Sequence, residues 1–218
     1  MSHQTIKGFV SSLIHRAGKQ AFPFQVVGLL SILCISCPRL HAQSEVNWDE
    51  QYTMQLSDFK SDLTKIGETN FISLQTAATL YFSFQMSTAE FMFTKNFNSK
   101  VSCYFLPGSA YLVAPDSNTA RSMVDYANFE FDLAELYARR LRQRLYEEKG
   151  AFSDVNFFKP EYDEVFRQLN ERKTHAIGLA DFGRNKEKLK ELHDEVLKEL
   201  TLLADFCKSC KVKKKKNP

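Results

Sequence analysis

Four carboxylates, Asp125, Glu130, Asp132 and Glu135, fall within a span that also holds most of the chain's candidate chemistry. A carboxylate can ligate a metal through oxygen, or move a proton when its surroundings tune its pKa. Downstream, His175 could join Glu130 in a two-ligand metal site, but two ligands without a general base do not make a hydrolase. Cys207-Lys208-Ser209-Cys210 has the spacing of a redox pair, yet no βαβ pattern surrounds it. Other mechanisms lack their parts. No Gly-x-Ser-x-Gly elbow is present, and none of the eight glycines form a phosphate-cradling cluster.

These carboxylates must be positioned by the stretch Asn118 to Glu148, which contains neither Gly nor Pro. Ala120, Met123, Val124, Ala127, Phe131, Ala134, Ala138, Leu141 and Leu145 recur at three-and-four spacing, the stripe of a helix packed against a core. Asp116 or Ser117 can cap its start, and Gly150 can supply a left-handed residue at its end. Arg139, Arg140, Arg142 and Arg144 crowd the last third, where a solvated basic face suits the negative end of the helix dipole.

Within that helix, Phe131-Asp132-Leu133-Ala134-Glu135-Leu136-Tyr137-Ala138-Arg139 resembles a string found in a family of secreted bacterial zinc-peptidase-like proteins. In that family the string follows His-Glu-x-x-His on the same helix. In register, the first histidine falls on Tyr126, the catalytic glutamate on Ala127 and the second histidine on Glu130. Two imidazoles four residues apart would grip zinc while the glutamate takes a proton from bound water. Tyr126 is a poor ligand unless ionised, and Ala127 accepts no proton. The resemblance therefore implies a scaffold whose catalytic and metal positions are lost, with no catalytic residue and no cofactor retained. Phe131, Asp132, Glu135, Tyr137 and Arg139 are its structural positions, with Asp132 and Glu135 bonding helix ends or Arg139. Leu56-Ser57-Asp58-Phe59 is similar to the family's opening Trp-x-Asp-Phe element, with Leu56 replacing Trp and Ser61 the Gly that follows. Thr174-His175 matches a downstream Thr-His element, which makes His175 the possible residual ligand.

Around the helix the pattern predicts an α+β fold: a small antiparallel sheet, then the long motif helix and C-terminal helices, a zincin-like two-layer domain over 43–207. Asn70 to Phe84 alternates apolar and polar residues with period two, the mark of a strand with one buried face. Glu90 to Thr94, Lys100 to Phe105 and Tyr111 to Pro115 read as further short strands, with a turn at Lys95 to Ser99. A helix from Glu161 to about Glu171 follows the long one. A last helix runs from Asn185 to Cys207, with Leu189, Leu192, Val196, Leu200 and Leu203 on one face and His193 beside them, exposed.

At the beginning of the chain, Lys7, Arg16 and Lys19 precede an uncharged run from Phe24 to Cys37 and a small residue at Ala42. That is the layout of a signal peptide over 1–42, cut near Ala42, and it places the chain outside the cytoplasm, secreted or periplasmic. Lipidation at Cys37 is the rival reading. Without Lys7, Arg16, Lys19 and Arg39 the balance is 25 basic to 26 acidic residues, and six of those basic residues belong to the terminal run from Lys208. An acidic body of this kind argues against nucleic-acid binding. The expected partner is a protein or peptide. The segment 208–218 reads as a disordered basic tail whose Lys211 to Lys216 could meet an anionic envelope surface. Of Cys103, Cys207 and Cys210, an odd number, the last two are the natural local disulfide.

Overall fold

The computed structural model describes residues 44–67, 69–83, 85–150, 153–154 and 156–212, all within one compact unit, Gln43–Pro218. The signal-peptide segment and Lys213 to Lys216 lie outside the described residues. Among the described residues the fold is α+β, with four α-helices and two small sheets.

The stretch predicted as one strand over Asn70–Phe84 is two: β3 (Ser73–Gln75) and β4 (Ala78–Phe82), split where Ala77 takes φ 51°. β4 pairs antiparallel with β5 (Val101–Phe105), and β3 pairs antiparallel with β6 (Tyr111–Ala114). Leu106 donates its amide to the Ala77 carbonyl at 3.3 Å, so both pairs belong to one long ladder interrupted by an extra loop at 106–110. Two short strands complete the sheets. β1 (Val46–Asn47) adds antiparallel to β5, while β2 (Lys65–Ile66) adds parallel to β6, so one sheet is mixed rather than antiparallel. Val101, Cys103 and Phe105 alternate inward from β5, and Ala78, Leu80 and Phe82 from β4, which is the period-two burial that the sequence predicts.

Glu90–Thr94 is not a strand. It belongs to helix α1 (Thr88–Phe93), whose N-cap Ser87 accepts a hydrogen bond from the Glu90 amide at 3.0 Å. The signal was Ser87-Thr88-Ala89-Glu90, the Ser-x-x-Glu spacing that opens helices.

The long helix α2 (Ser117–Glu148) has Asp116 as its cap, accepting from the amides of Asn118 and Thr119 at 2.8 and 2.9 Å. It packs against β4, β5 and β6 on one side and against α3 (Phe158–Ala180) and α4 (Lys186–Leu202) on the other. Contact on both sides explains why it is buried almost all round, not along a single stripe. It ends without a left-handed glycine: Lys149 is extended, with φ −64° and ψ 103°, and Gly150 has no positive φ.

α3 is longer than the predicted Glu161–Glu171 segment and runs on through Thr174 and His175. It stops where Asp181, Phe182 and Gly183 all turn to positive φ. Gly183 is required there, because a Cβ would lie 2.0 Å from the Ser122 carbonyl oxygen. α4 buries Leu189, Leu192, Val196 and Leu200, and a 3-10 turn at Ala204–Phe206 replaces its predicted last turn. Lys208 to Cys210, assigned above to the tail, are attached to the body. The Cys210 carbonyl accepts from the Asn96 and Asn98 side chains, and Lys208 donates to Asn47.

Candidate functional site

The three positions aligned with the metal motif lie on the buried middle of α2. Ala127 is fully buried and offers only a methyl group. Tyr126 is also fully buried, its ring packed on Phe129 and Phe182, and its hydroxyl has no hydrogen-bond partner among the described residues. Burial, with the charge of Glu130 nearby, holds this phenol far above its ordinary pKa, so ionisation to a ligand is strongly opposed. Glu130 accepts from the Thr76 hydroxyl at 2.6 Å and lies 4.0 Å from the Lys173 ammonium, which also donates to the Ala78 carbonyl at 3.3 Å. Thr76 reaches Glu130 from the break between β3 and β4, next to Ala77 with its positive φ.

His175 does not join this group. Lys173 turns toward α2 while His175, two residues on, is exposed, because positions two apart on a helix do not share a face. No set of three or more His, Cys, Asp or Glu gathers as metal ligands among the described residues. A zinc ion of the kind the resemblance implies does not fit this donor set. One position has no donor atom, one is a buried neutral phenol, and the one carboxylate is already bonded.

The structural positions of the string form two further polar clusters. Asp132 accepts from the Trp48 indole at 2.7 Å and bonds His193 Nε2 at 2.6 Å, joining the N-terminal segment to α4. His193 is therefore half-buried and engaged, not exposed as its place beside the apolar stripe suggested; its ring also meets Phe129 edge-on. Glu135 is buried and accepts from Arg139 Nε at 3.0 Å and from both terminal nitrogens of Arg142. Arg142 has no exposed surface. It also donates to the Val101 carbonyl through two nitrogens and to the Phe206 carbonyl. Arg139 donates to the Leu200 carbonyl at 2.8 Å and stacks on Trp48. The solvated basic face is thus half wrong. Arg139 and Arg142 are internal, whereas Arg140 stacks on Tyr137 and pairs with Glu199, and Arg144 pairs with Glu161. Phe131 packs on Phe105 with ring centroids 5.6 Å apart.

No local pattern marks Thr76, Lys173 or Asn128 as site residues. Asn128 brackets Met54, accepting from its amide at 2.7 Å and donating to its carbonyl at 3.2 Å. Trp48 could have been noticed as the single tryptophan. Cys207 and Cys210 form a disulfide, and Cys103 is a buried free thiol directed at the Phe131 carbonyl. Along the first half of α2 runs a polar cleft of about 700 Å³, walled by Thr53, Gln55, Arg121, Asp125, Arg184 and Lys186.

Comparison with family models, with curated proteins and with solved structures finds no match to this chain.

Proposed function

We propose that this chain is a non-catalytic, zincin-like module, exported after removal of a signal peptide, that works by holding a protein or peptide partner. The observation that carries this reading is the state of the motif positions on α2. Ala127 supplies no base, and Glu130 is satisfied by Thr76 beside Lys173. Binding a metal at Glu130 would place a second cation next to Lys173, on a carboxylate whose other oxygen already accepts from Thr76. The polar cleft along α2 is of a size that accepts a peptide segment, and it lies outside those motif positions.

The test uses purified residues 43–218. Zinc measured after dialysis should be far below one equivalent, and a mixed peptide library should remain uncut. Stoichiometric zinc that is lost on Glu130→Ala or His175→Ala would overturn the reading in favour of a metal-dependent hydrolase with an altered site.

A second reading has its own support. The segment leading into the terminal lysines runs along a cleft of about 580 Å³ lined by Lys95, Lys208 and Lys211 and, among the described residues, by no carboxylate. Such a patch would extend the charge of Lys213 to Lys216 onto the body and favour an anionic envelope surface. Deleting Lys211 to Lys216 should release the chain from anionic vesicles. Undiminished retention would remove this reading.

A further inference from the structure

Charge, an open hydroxyl and size combine in the polar cleft along the first half of α2. Its walls carry three cations, Arg121 on α2, Arg184 in the turn before α4 and Lys186 at the start of α4, against one carboxylate, Asp125. Arg184 is paired with Asp181 at 2.6 Å. Arg121 reaches only the Asn118 side-chain oxygen, at 3.2 Å, and among the described residues neither Arg121 nor Lys186 has a carboxylate partner. Like charges gathered in one cleft attract an anion to it.

The hydroxyl is that of Ser122, which lines the same cleft. Ser122 is only 8% exposed and bonds no other side chain or backbone group among the described residues. The polar side-chain atoms there that are both sealed from solvent and without a partner belong to Asn98 and Tyr126, so the Ser122 oxygen is open, and it opens on the cleft. Gly183 lies so close to Ser122 that an added Cβ would stand 2.0 Å from the Ser122 carbonyl oxygen. That contact sets the hydroxyl between Arg121, its neighbour on α2, and the turn that carries Arg184. A hydroxyl and a guanidinium side by side are donors suited to a carboxylate, and such charge-assisted bonds are the stronger kind. The volume, about 700 Å³, exceeds what a single carboxylate fills and lies in the range of sites that hold larger ligands.

We propose that this cleft holds an acidic peptide segment, one of whose carboxylates accepts from the Ser122 hydroxyl and is drawn there by Arg121, Arg184 and Lys186. This rests on the peptide-holding reading given above and adds the charge of the partner. Asp125 opposes that charge, so it sets a limit on affinity that can be lifted.

The experiment is fluorescence anisotropy on residues 43–218 with labelled peptides of equal length that alternate Ser with Glu, Gln or Lys. The Glu peptide should saturate one site and bind at least about fivefold more tightly than the others. The double variant Arg121→Gln, Lys186→Gln should weaken it by at least about fivefold, and Ser122→Ala by about threefold. Asp125→Asn should tighten it by about twofold. All four positions lie on the cleft wall, and an unchanged denaturation midpoint checks that each variant folds. Affinity for the Glu peptide unchanged in the double variant would put binding elsewhere, on the terminal lysines, and overturn the proposal. Equal affinities for the Glu and Gln peptides would overturn the acidic preference and leave the peptide-holding reading standing, whereas no binding of any peptide would remove both.

Discussion

Removing Arg142 gives the sharpest test of how α2 holds the fold. Its guanidinium has five N–H donors, and the structure shows five bonds: two to Val101, two to Glu135 and one to Phe206. Arg142→Met fills similar volume but leaves the Val101 and Phe206 carbonyls without this donor and Glu135 with Arg139 alone. Breaking a buried, fully bonded ion pair from one side costs about 3–5 kcal/mol. For a domain of this size, that is a fall in Tm of about 6–20 °C. The assay is urea denaturation of residues 43–218 as wild type, Arg142→Met, Glu135→Met and the double variant. The double variant should lose less than the sum of the singles, by at least about 1 kcal/mol, because it strands only Arg139, whereas Glu135→Met alone strands both Arg139 and Arg142 without a carboxylate. Arg142→Lys should fall between wild type and Met, since it keeps the charge and loses the fork. A loss below about 1 kcal/mol for Arg142→Met, or strict additivity, would refute the reasoning.

Gly183→Ala should destabilise the chain by about 3 kcal/mol or more, because positive φ and a contact with the Ser122 carbonyl combine; a denaturation midpoint within error of wild type would contradict this. Tyr126→Phe should be neutral or stabilising by up to about 1 kcal/mol, since it deletes a buried hydroxyl with no partner among the described residues; a clear loss would reveal a bond to buried water. Burial, followed by the charge of Glu135, pushes the Cys103 thiol well above its usual pKa. The folded state therefore keeps its full advantage below the unfolded thiol pKa of about 8.5 and loses it as pH rises, by up to about 2 kcal/mol at pH 10. Cys103→Val removes that titration, so wild type should weaken relative to the variant between pH 8 and pH 10, and a constant difference would count against it.

The central helix was legible because its apolar spacing is long, uninterrupted and flanked by a good cap at Asp116. The alternating strands were legible for the same reason, but not the break at Ala77, beside which Thr76 donates to Glu130. Tertiary need overrode local pattern there. Lys149 closes α2 in an extended conformation, so the adjacent glycine, which suggested a left-handed ending, was not used for one. The arginines misled more seriously. Spacing shows that Arg142 is seven residues beyond Glu135 and could share its face, but nothing in the sequence shows that the Val101 carbonyl waits above that face. His193 poses the same problem. Its partner, Asp132, is sixty-one positions away, and no local signal encodes that contact.

These distant contacts give the carboxylates of α2 a structural role. Glu130 ties α2 to the strand break and to α3, Asp132 ties it to the N-terminal segment and to α4, and Glu135 ties it through Arg142 to β5 and to the turn after α4. Three carboxylates on one helix thus anchor separate parts of the chain. Each is buried or half-buried, so its loss would leave a cation, an indole or a hydroxyl without its acceptor. Selection for a folded chain is enough to keep such residues. It places no demand on position 127, where a buried methyl group packs as well as a core requires. Packing and polar satisfaction around α2 account for the residue types from Phe131 to Arg139, and these residues carry no argument for hydrolysis. A claim of catalysis for this chain would have to rest on a base other than residue 127 and on ligands other than the carboxylates that already hold the fold together.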